Sequence, residues 1–338
     1  MTFRLLALGG DRLADVTLAA ANVRIVHHDK TANLNRFLEL IDEAGSVGAD
    51  ILVLPEMGLQ GYADFAYGIG DRGIAEQKQY YFREAEPIPG PATSAIAECA
   101  AQYGMIVQLG LAESALDGNL IFNSTALISG DGVIGVYRKV HNQAEALFFG
   151  AGEQTPVFDT PLARVASLIC YDIAFPELMR VFALDGATVA LMSTAWPMKG
   201  HNPGTDYYGT SMNVCAQANA FFNRMWLVVS NHCETAAYST GVDYWGHSQI
   251  VDPHGNVVSA AGQDERLVIH TADLEAEVLS ARTESFFGVN LLADRRPQHY
   301  GAVSDRASYV REAQPAARAA SQDGAAPDRA LPRTHQET

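Results

Sequence analysis

No apolar stretch of the sequence approaches the ~20 residues that a membrane-spanning helix needs, so no membrane partner is expected. Basic residues are scarce: 23 Lys and Arg stand against 39 Asp and Glu, a formal net charge of −16. That sign favours solubility and disfavours nucleic acid, and no Lys/Arg block forms a stripe able to track phosphates. Only four cysteines occur, Cys99, Cys170, Cys215 and Cys233, with no CxxC pair, which argues against a disulfide framework or a zinc ribbon. The ten histidines are scattered without an HExxH pattern, and His27 and His28 would face opposite ways on a strand, so no metal is expected. There is no GxxxxGK[ST] loop, and no cofactor is expected. Met1 to Ala20 meets Asp11 and Asp15 early and lacks the basic start of a secretory signal; a cytoplasmic location is the expectation.

What is present is a large apolar fraction, 48%, in alternating strand and helix signals. Ala21 to Val26 reads as a strand, and Leu34, Phe37, Leu38 and Ile41 recur at helical spacing. Ile51 to Leu54 is an unbroken apolar run, the pattern of a buried strand. Ile96, Cys99 and Tyr103 mark a second helix, and Met105 to Leu111 a strand. Ile121 to Ile128 and Val133 to Tyr137 flank Ser129-Gly130-Asp131-Gly132, a hairpin turn. Ala163 to Cys170 and Thr188 to Met192 read as strands around a helix that Pro176 opens and Gly186 ends. A helix over Ser211 to Phe222, a strand over Met225 to Val229, a hairpin over Ser248 to Val258 and a strand over Leu267 to Ala272 complete the pattern. This mixture predicts an α/β fold with parallel and antiparallel pairs under outer helices. Residues 1–304 are read as one domain. Residues 305–338 hold almost nothing to bury and are read as a flexible tail or an oligomer arm.

Three chemically able residues stand at the ends of these strands. Glu56 closes ILVLPE, Lys139 closes VIGVYRK, and Cys170 closes ARVASLIC. Strand ends can meet at one sheet edge, where loops open to solvent. Taken singly, Glu56 and Lys139 read as surface charges and Cys170 as core packing. Their joint occurrence, each in its own local motif, favours a shared site.

Those motifs resemble the nitrilase superfamily of carbon–nitrogen hydrolases. LPEMGLQGY around Glu56 is similar to the family's PE-x-x-x-x-GY segment, GVYRKVH to its lysine motif, and ICYDIAFPEL to its nucleophile motif. YWGHSQIVDPHG and Asp294-Arg295-Arg296-Pro297 with Tyr300 match later family segments, so the likeness runs from Asn22 to Tyr300. The chain departs from the family pattern at Asn142, Asn219 and Phe222. The resemblance implies a four-layer αββα sandwich that forms a homodimer or larger homo-oligomer. It also implies a second glutamate, matched by Glu145, that holds Lys139 and the substrate amide nitrogen. Tyr62, Tyr171 and Trp196 are candidate pocket walls, while His141, Glu177 and Arg180 read as structural.

The chemistry needed is that of amide cleavage. A thioester on Cys170 splits the reaction into two easier steps. Lys139 is expected to lower the thiol pKa and, with the Tyr171 N–H, to face the oxyanion; Glu56 is the expected base. Tyr171-Asp172 after the cysteine resembles the amidase and Nit-like branches, whereas nitrile-cleaving members carry Trp-Glu. A small amide substrate is therefore expected, with nitrile or N-carbamoyl amide hydrolysis as alternatives. Readings of other kinds are a silent scaffold on the same fold, a glutaminase subunit with a synthetase partner, and a papain-like enzyme with His201, His232 or His247 as base.

Overall fold

The unbroken apolar strands and the one-sided helices dictate how the layers stack. A computed structural model describes residues 15–62, 74–115, 118–200, 204–235, 242–283 and 288–305. In chain order these form β1 (Val16–Val23), α1 (Lys30–Ser46), β2 (Ile51–Val53), α2 (Ile74–Glu84), α3 (Pro91–Ala101), β3 (Ile106–Ser114), β4 (Ile121–Ser129) and β5 (Gly132–Arg138). There follow β6 (Val157–Asp159), β7 (Arg164–Ile169), α4 (Pro176–Leu184), β8 (Val189–Thr194), α5 (Tyr207–Asn223), β9 (Trp226–His232), β10 (Gln249–Val251), β11 (Val257–Ala260), β12 (Arg266–Ala272) and α6 (Leu274–Thr283). The chain divides into two units, residues 1–292 and 293–338. In the second, α7 (Gly301–Asp305) follows a turn in which the Arg296 N–H reaches the Tyr300 hydroxyl, 3.2 Å away. Residues 306–338, read from the sequence as tail or arm, lie outside the described residues.

In the first unit the strands run in the order β5-β4-β3-β2-β1-β9-β8-β7-β6, with β12 beside β1 and β10 beside β9. β1 and β9 share only the short register Asn22–Asn231 and Val23–His232, so the path folds into two sheets joined at strand ends. Leu18, Val53 and Ile106 from one sheet pack against Val189, Leu191 and Val228 from the other. On the outer face of the first sheet lie Phe37 and Ile41 of α1 and Ile96 of α3. On the outer face of the second lie Leu178 and Phe182 of α4 and Met212 and Ala216 of α5. The layers are therefore helix, sheet, sheet, helix, the αββα sandwich that the resemblance implies. No helix among the described residues is long and apolar enough to cross a membrane.

Several elements depart from the sequence reading, among them β1, α2 and α3. β1 begins at Val16 rather than Ala21, because pairing with β12 and β2 recruits a stretch whose alanines carry little strand signal. The second helix ends at Ala101, leaving Tyr103 beyond it and exposed. α2 carries no aliphatic stripe: it buries Gln77 and the two tyrosines Tyr80 and Tyr81, which join an apolar cluster with Met57 and Phe149. The tyrosine hydroxyls donate to the Gln60 and Gly61 carbonyls at 2.8 and 3.1 Å, so α2 fastens the loop that follows β2.

Candidate active site

Parallel strands bring their carboxyl ends to one rim, and the residues just past those ends meet there. Glu56 follows β2, Lys139 follows β5, Cys170 follows β7 and Ala195 follows β8. Glu145 arrives on a 3-10 turn, Ala144–Leu147, tied back by the Asn142 side chain, which donates to the Phe149 and Gly150 carbonyls. The Lys139 ammonium lies 2.7 Å from Glu56 Oε1 and also pairs with Glu145 Oε1; all three side chains are at most 2% exposed. Asn123 Nδ2 donates to Glu56 Oε1 at 2.8 Å and to Glu145 Oε2 at 3.4 Å, bridging the two acids. The Ala195 N–H donates to Glu56 Oε2 at 2.9 Å. Glu56 is thus held by three N–H donors from three segments. The Tyr62 hydroxyl donates to Glu145 Oε2.

The charges in this sealed cluster act strongly on one another. Burial opposes the Lys139 charge, but Glu145, Glu56 and Cys170 outweigh it and hold the ammonium well above the usual lysine range. Burial raises the Glu145 carboxyl, Lys139 pulls it down and Glu56 pushes it up again; the result lies above an ordinary glutamate. For Cys170, burial and the Glu56 charge raise the thiol, and Lys139, Thr194 and the Ala195 N–H lower it. The raising influences win, so the thiol stays protonated. This differs from the thiolate-like nucleophile expected from the sequence: one ammonium shared between two carboxylates has little attraction left for a buried sulfur.

The Cys170 turn holds the sulfur at the end of β7 in a backbone conformation that costs local strain. Cys170 adopts φ 46°, a left-handed conformation uncommon for a side chain with a Cβ. A 3-10 turn, Cys170–Ala174, follows β7 at once. Asp172, fully buried, clamps it. Its Oδ2 accepts from the Ile169 N–H at 3.1 Å and the Tyr137 hydroxyl at 2.7 Å, and its Oδ1 from the His141 N–H at 3.0 Å and lies 2.8 Å from His141 Nδ1. His141 stacks on Phe175 with centroids 3.8 Å apart, in keeping with a structural part. Asn219, where the family pattern differs, donates from α5 to the Ile173 carbonyl at 3.0 Å and braces the same turn.

Of the expected walls, Tyr62 touches the cluster directly. Trp196 is buried in the same apolar core as Cys170, its indole N–H donating to the Tyr208 carbonyl at 2.8 Å. Tyr171 packs edge-on to Phe175, centroids 5.0 Å apart. Asn123, Thr194 and Tyr208 complete the site without any sequence signal. Burial raises the Tyr208 phenol, which takes a hydrogen bond from Gln143. Asn123 Oδ1 is buried with no hydrogen-bond partner among the described residues, and the Thr194 side chain bonds to Cys170. Among the described residues, neither His232 nor His247 is arranged as a base for Cys170. His232 spends its ring nitrogens on Glu56 O and Glu234, and His247 stacks on Trp245; His201 lies outside the described residues.

Comparison with known proteins finds relatives along most of the chain. A carbon–nitrogen hydrolase profile matches residues 17–281. The N-carbamoylputrescine amidase of Solanum lycopersicum is 30% identical over 298 residues, 84% of this chain and 93% of that one. The omega-amidase NIT2 of Danio rerio is 29% identical over 280 residues, 78% of this chain and 88% of that one. Among solved structures, a glutamate variant of the amidase from Nesterenkonia sp. AN1 superposes with a TM-score of 0.65 at 23% identity, over 86% of this chain and 97% of that one. It carries the acetamide moiety of fluoroacetamide on its active-site cysteine.

Proposed function

Because the chain belongs to the carbon–nitrogen hydrolase family, we propose that it hydrolyses a small amide to acid and ammonia through a thioester on Cys170. The observation that carries this reading is the sealed Glu56–Lys139–Glu145 cluster against Cys170. Since the thiol is protonated at rest, the nucleophile is generated during attack. The Cys170 proton passes to Glu56 as the sulfur–carbon bond forms, and Lys139 with the Tyr171 N–H faces the oxyanion. Glu56 returns the proton to the nitrogen as the C–N bond breaks and ammonia leaves. Water then attacks the thioester, gives its proton to Glu56, and the sulfur takes it back. Glu145, held by Tyr62 and Asn123, orients Lys139 and the amide nitrogen.

The test is ammonia release from simple amides, matched nitriles and N-carbamoyl amines, with Cys170→Ala as the blank. Ammonia from amides alone supports the proposal; release from nitriles with acid as product overturns it in favour of a nitrilase. The tomato relative favours a second reading, N-carbamoyl amide hydrolysis, which would release carbon dioxide together with ammonia.

A further inference from the structure

Behind the candidate site lies a buried cluster that the chemistry above does not use. His27, His232 and Glu234 come from the loop after β1, the end of β9 and the segment beyond it, with donor atoms within 4.8 Å of one another. His232 Nε2 is 2.7 Å from the backbone oxygen of Glu56, and His27 Nδ1 is 2.5 Å from that of Tyr62. A carbonyl oxygen only accepts, so both of those nitrogens carry hydrogen. The other two, His232 Nδ1 and His27 Nε2, lie 2.8 and 2.9 Å from one oxygen, Glu234 Oε1. Glu234 Oε2 accepts the Ile25 N–H. Burial pushes the Glu234 carboxyl up, but the His232 charge and the two histidine hydrogen bonds bring it down to about 2, so it is ionised. A neutral ring would then aim its lone pair at a carboxylate oxygen at hydrogen-bond distance.

We propose that Glu234 holds His27 and His232 as two imidazolium rings, and that this triplet is a positioning device that fixes the backbone carbonyls of Glu56 and Tyr62. One ring thereby anchors the residue read as base, the other the residue whose hydroxyl holds Glu145. Gly61, at φ 79°, lets this happen: a Cβ there would come within 2.7 Å of the His27 Cα. Observed separations of 2.8 and 2.9 Å are those of N–H···O bonds. A metal ion with ligand bonds of about 2.1 Å would hold its donors farther apart. The groups facing the pair are Tyr244, 4.8 Å from His232 and 6.2 Å from His27 between ring centroids, the Glu56–Lys139–Glu145 cluster beyond the two carbonyls, and Cys233 with Arg24 beside Glu234. Burial and the Glu234 charge push the Cys233 thiol up, so it stays neutral, and Glu234 is the carboxylate bonded to both rings.

The bearing on turnover rests on the amide-hydrolase reading; the protonation state does not. The first readout is therefore nitrogen-15 NMR of the histidine rings in the unmodified full chain, assigned with His27→Gln and His232→Gln. Four ring N–H groups from these two residues at about pH 7.5 are expected, since a carboxylate partner favours imidazolium. Neutral rings overturn the proposal, as does a stoichiometric divalent ion whose removal by chelator frees the rings. The second readout is the split between kcat and KM. Glu234→Gln removes the charge that holds both rings and should lower kcat on the order of tenfold with KM little changed. His232→Leu, which removes the donor to the Glu56 carbonyl, should lower kcat further, and His232→Gln, which keeps a donor there, should recover part of that loss. Equal kcat in His232→Leu and His232→Gln would overturn the positioning role. If Glu234→Gln does not fold, the NMR readout still decides.

Discussion

The Lys139 ammonium lies 2.7 Å from Glu56 Oε1, and neither side chain reaches solvent. Three N–H donors fix Glu56, the base of the proposed reaction, so that role can be separated from its structural part by a change of one atom. Glu56→Gln keeps the shape and a carbonyl-type acceptor but cannot take a proton. Turnover of an amide substrate should fall by about 10²–10⁴-fold, the usual worth of general acid–base catalysis. The checks are steady-state ammonia release and a thermal melt. Retention of most activity would remove Glu56 from the base role.

Removing the ammonium should act on stability as well as on rate. Lys139→Met leaves Glu56 and Glu145 buried together without a cation, a loss of about 3–5 kcal/mol by analogy with broken buried pairs. The penalty has a definite pH sign. Glu145 already sits above its ordinary value of 4.5 through burial and the Glu56 charge, and loss of Lys139 raises it further. A carboxyl raised on folding stabilises below its unfolded pKa, and that stabilisation is lost as pH rises through the folded value. The variant should therefore lie nearest the parent at about pH 5 and fall away by about pH 8, as urea midpoints would show. An equal deficit at both would mean that neither acid takes up the proton.

The resting state of Cys170 gives a third expectation. Burial and the Glu56 charge outweigh Lys139, so the thiol stays protonated through its ordinary range near 9.0. Ultraviolet titration of the unmodified protein against Cys170→Ala should show no thiolate signal from this residue near neutral pH. A Cys170-dependent thiolate titrating near neutrality would instead make Lys139, rather than Glu56, the group that prepares the nucleophile.

The sequence displayed the site in proportion to how local each part is. Glu56, Lys139 and Cys170 each end a strand whose apolar run is visible, so both their place at a sheet edge and their motifs could be read. Asn123 lies mid-strand in β4 and looks like any polar residue on a hairpin; only the fold aims it between two glutamates. His27 and His232 are far apart in sequence and meet because β1 and β9 pair at their ends, which no spacing rule reveals. α2 escaped notice because its buried face works through tyrosine hydroxyls rather than an aliphatic stripe. The layers were legible because most of the central strands and several helices announce their buried faces; the polar braces were not, because their partners are long-range.

Asp172 offers the sharpest test of how the strained Cys170 turn is kept. It accepts from the turn itself through Ile169, from β5 through Tyr137 and from the segment after β5 through His141. Burial and the Asp172 charge hold the Tyr137 phenol well above its usual range, so Tyr137 is a neutral donor at every working pH. Tyr137→Phe removes that one hydrogen bond and leaves the packing against Phe182 in place. A lost bond to a buried carboxylate should lower stability by about 1–3 kcal/mol. If the bond also restrains the φ 46° conformation of Cys170, kcat should fall several-fold while KM stays close to the parent value, because the nucleophile and not the pocket is displaced. Chemical denaturation with kinetics on the same preparation reads both. A stability loss with unchanged kcat would mean that the Ile169 and His141 contacts alone hold the turn, and that the strain at Cys170 is set within the 3-10 turn rather than by β5.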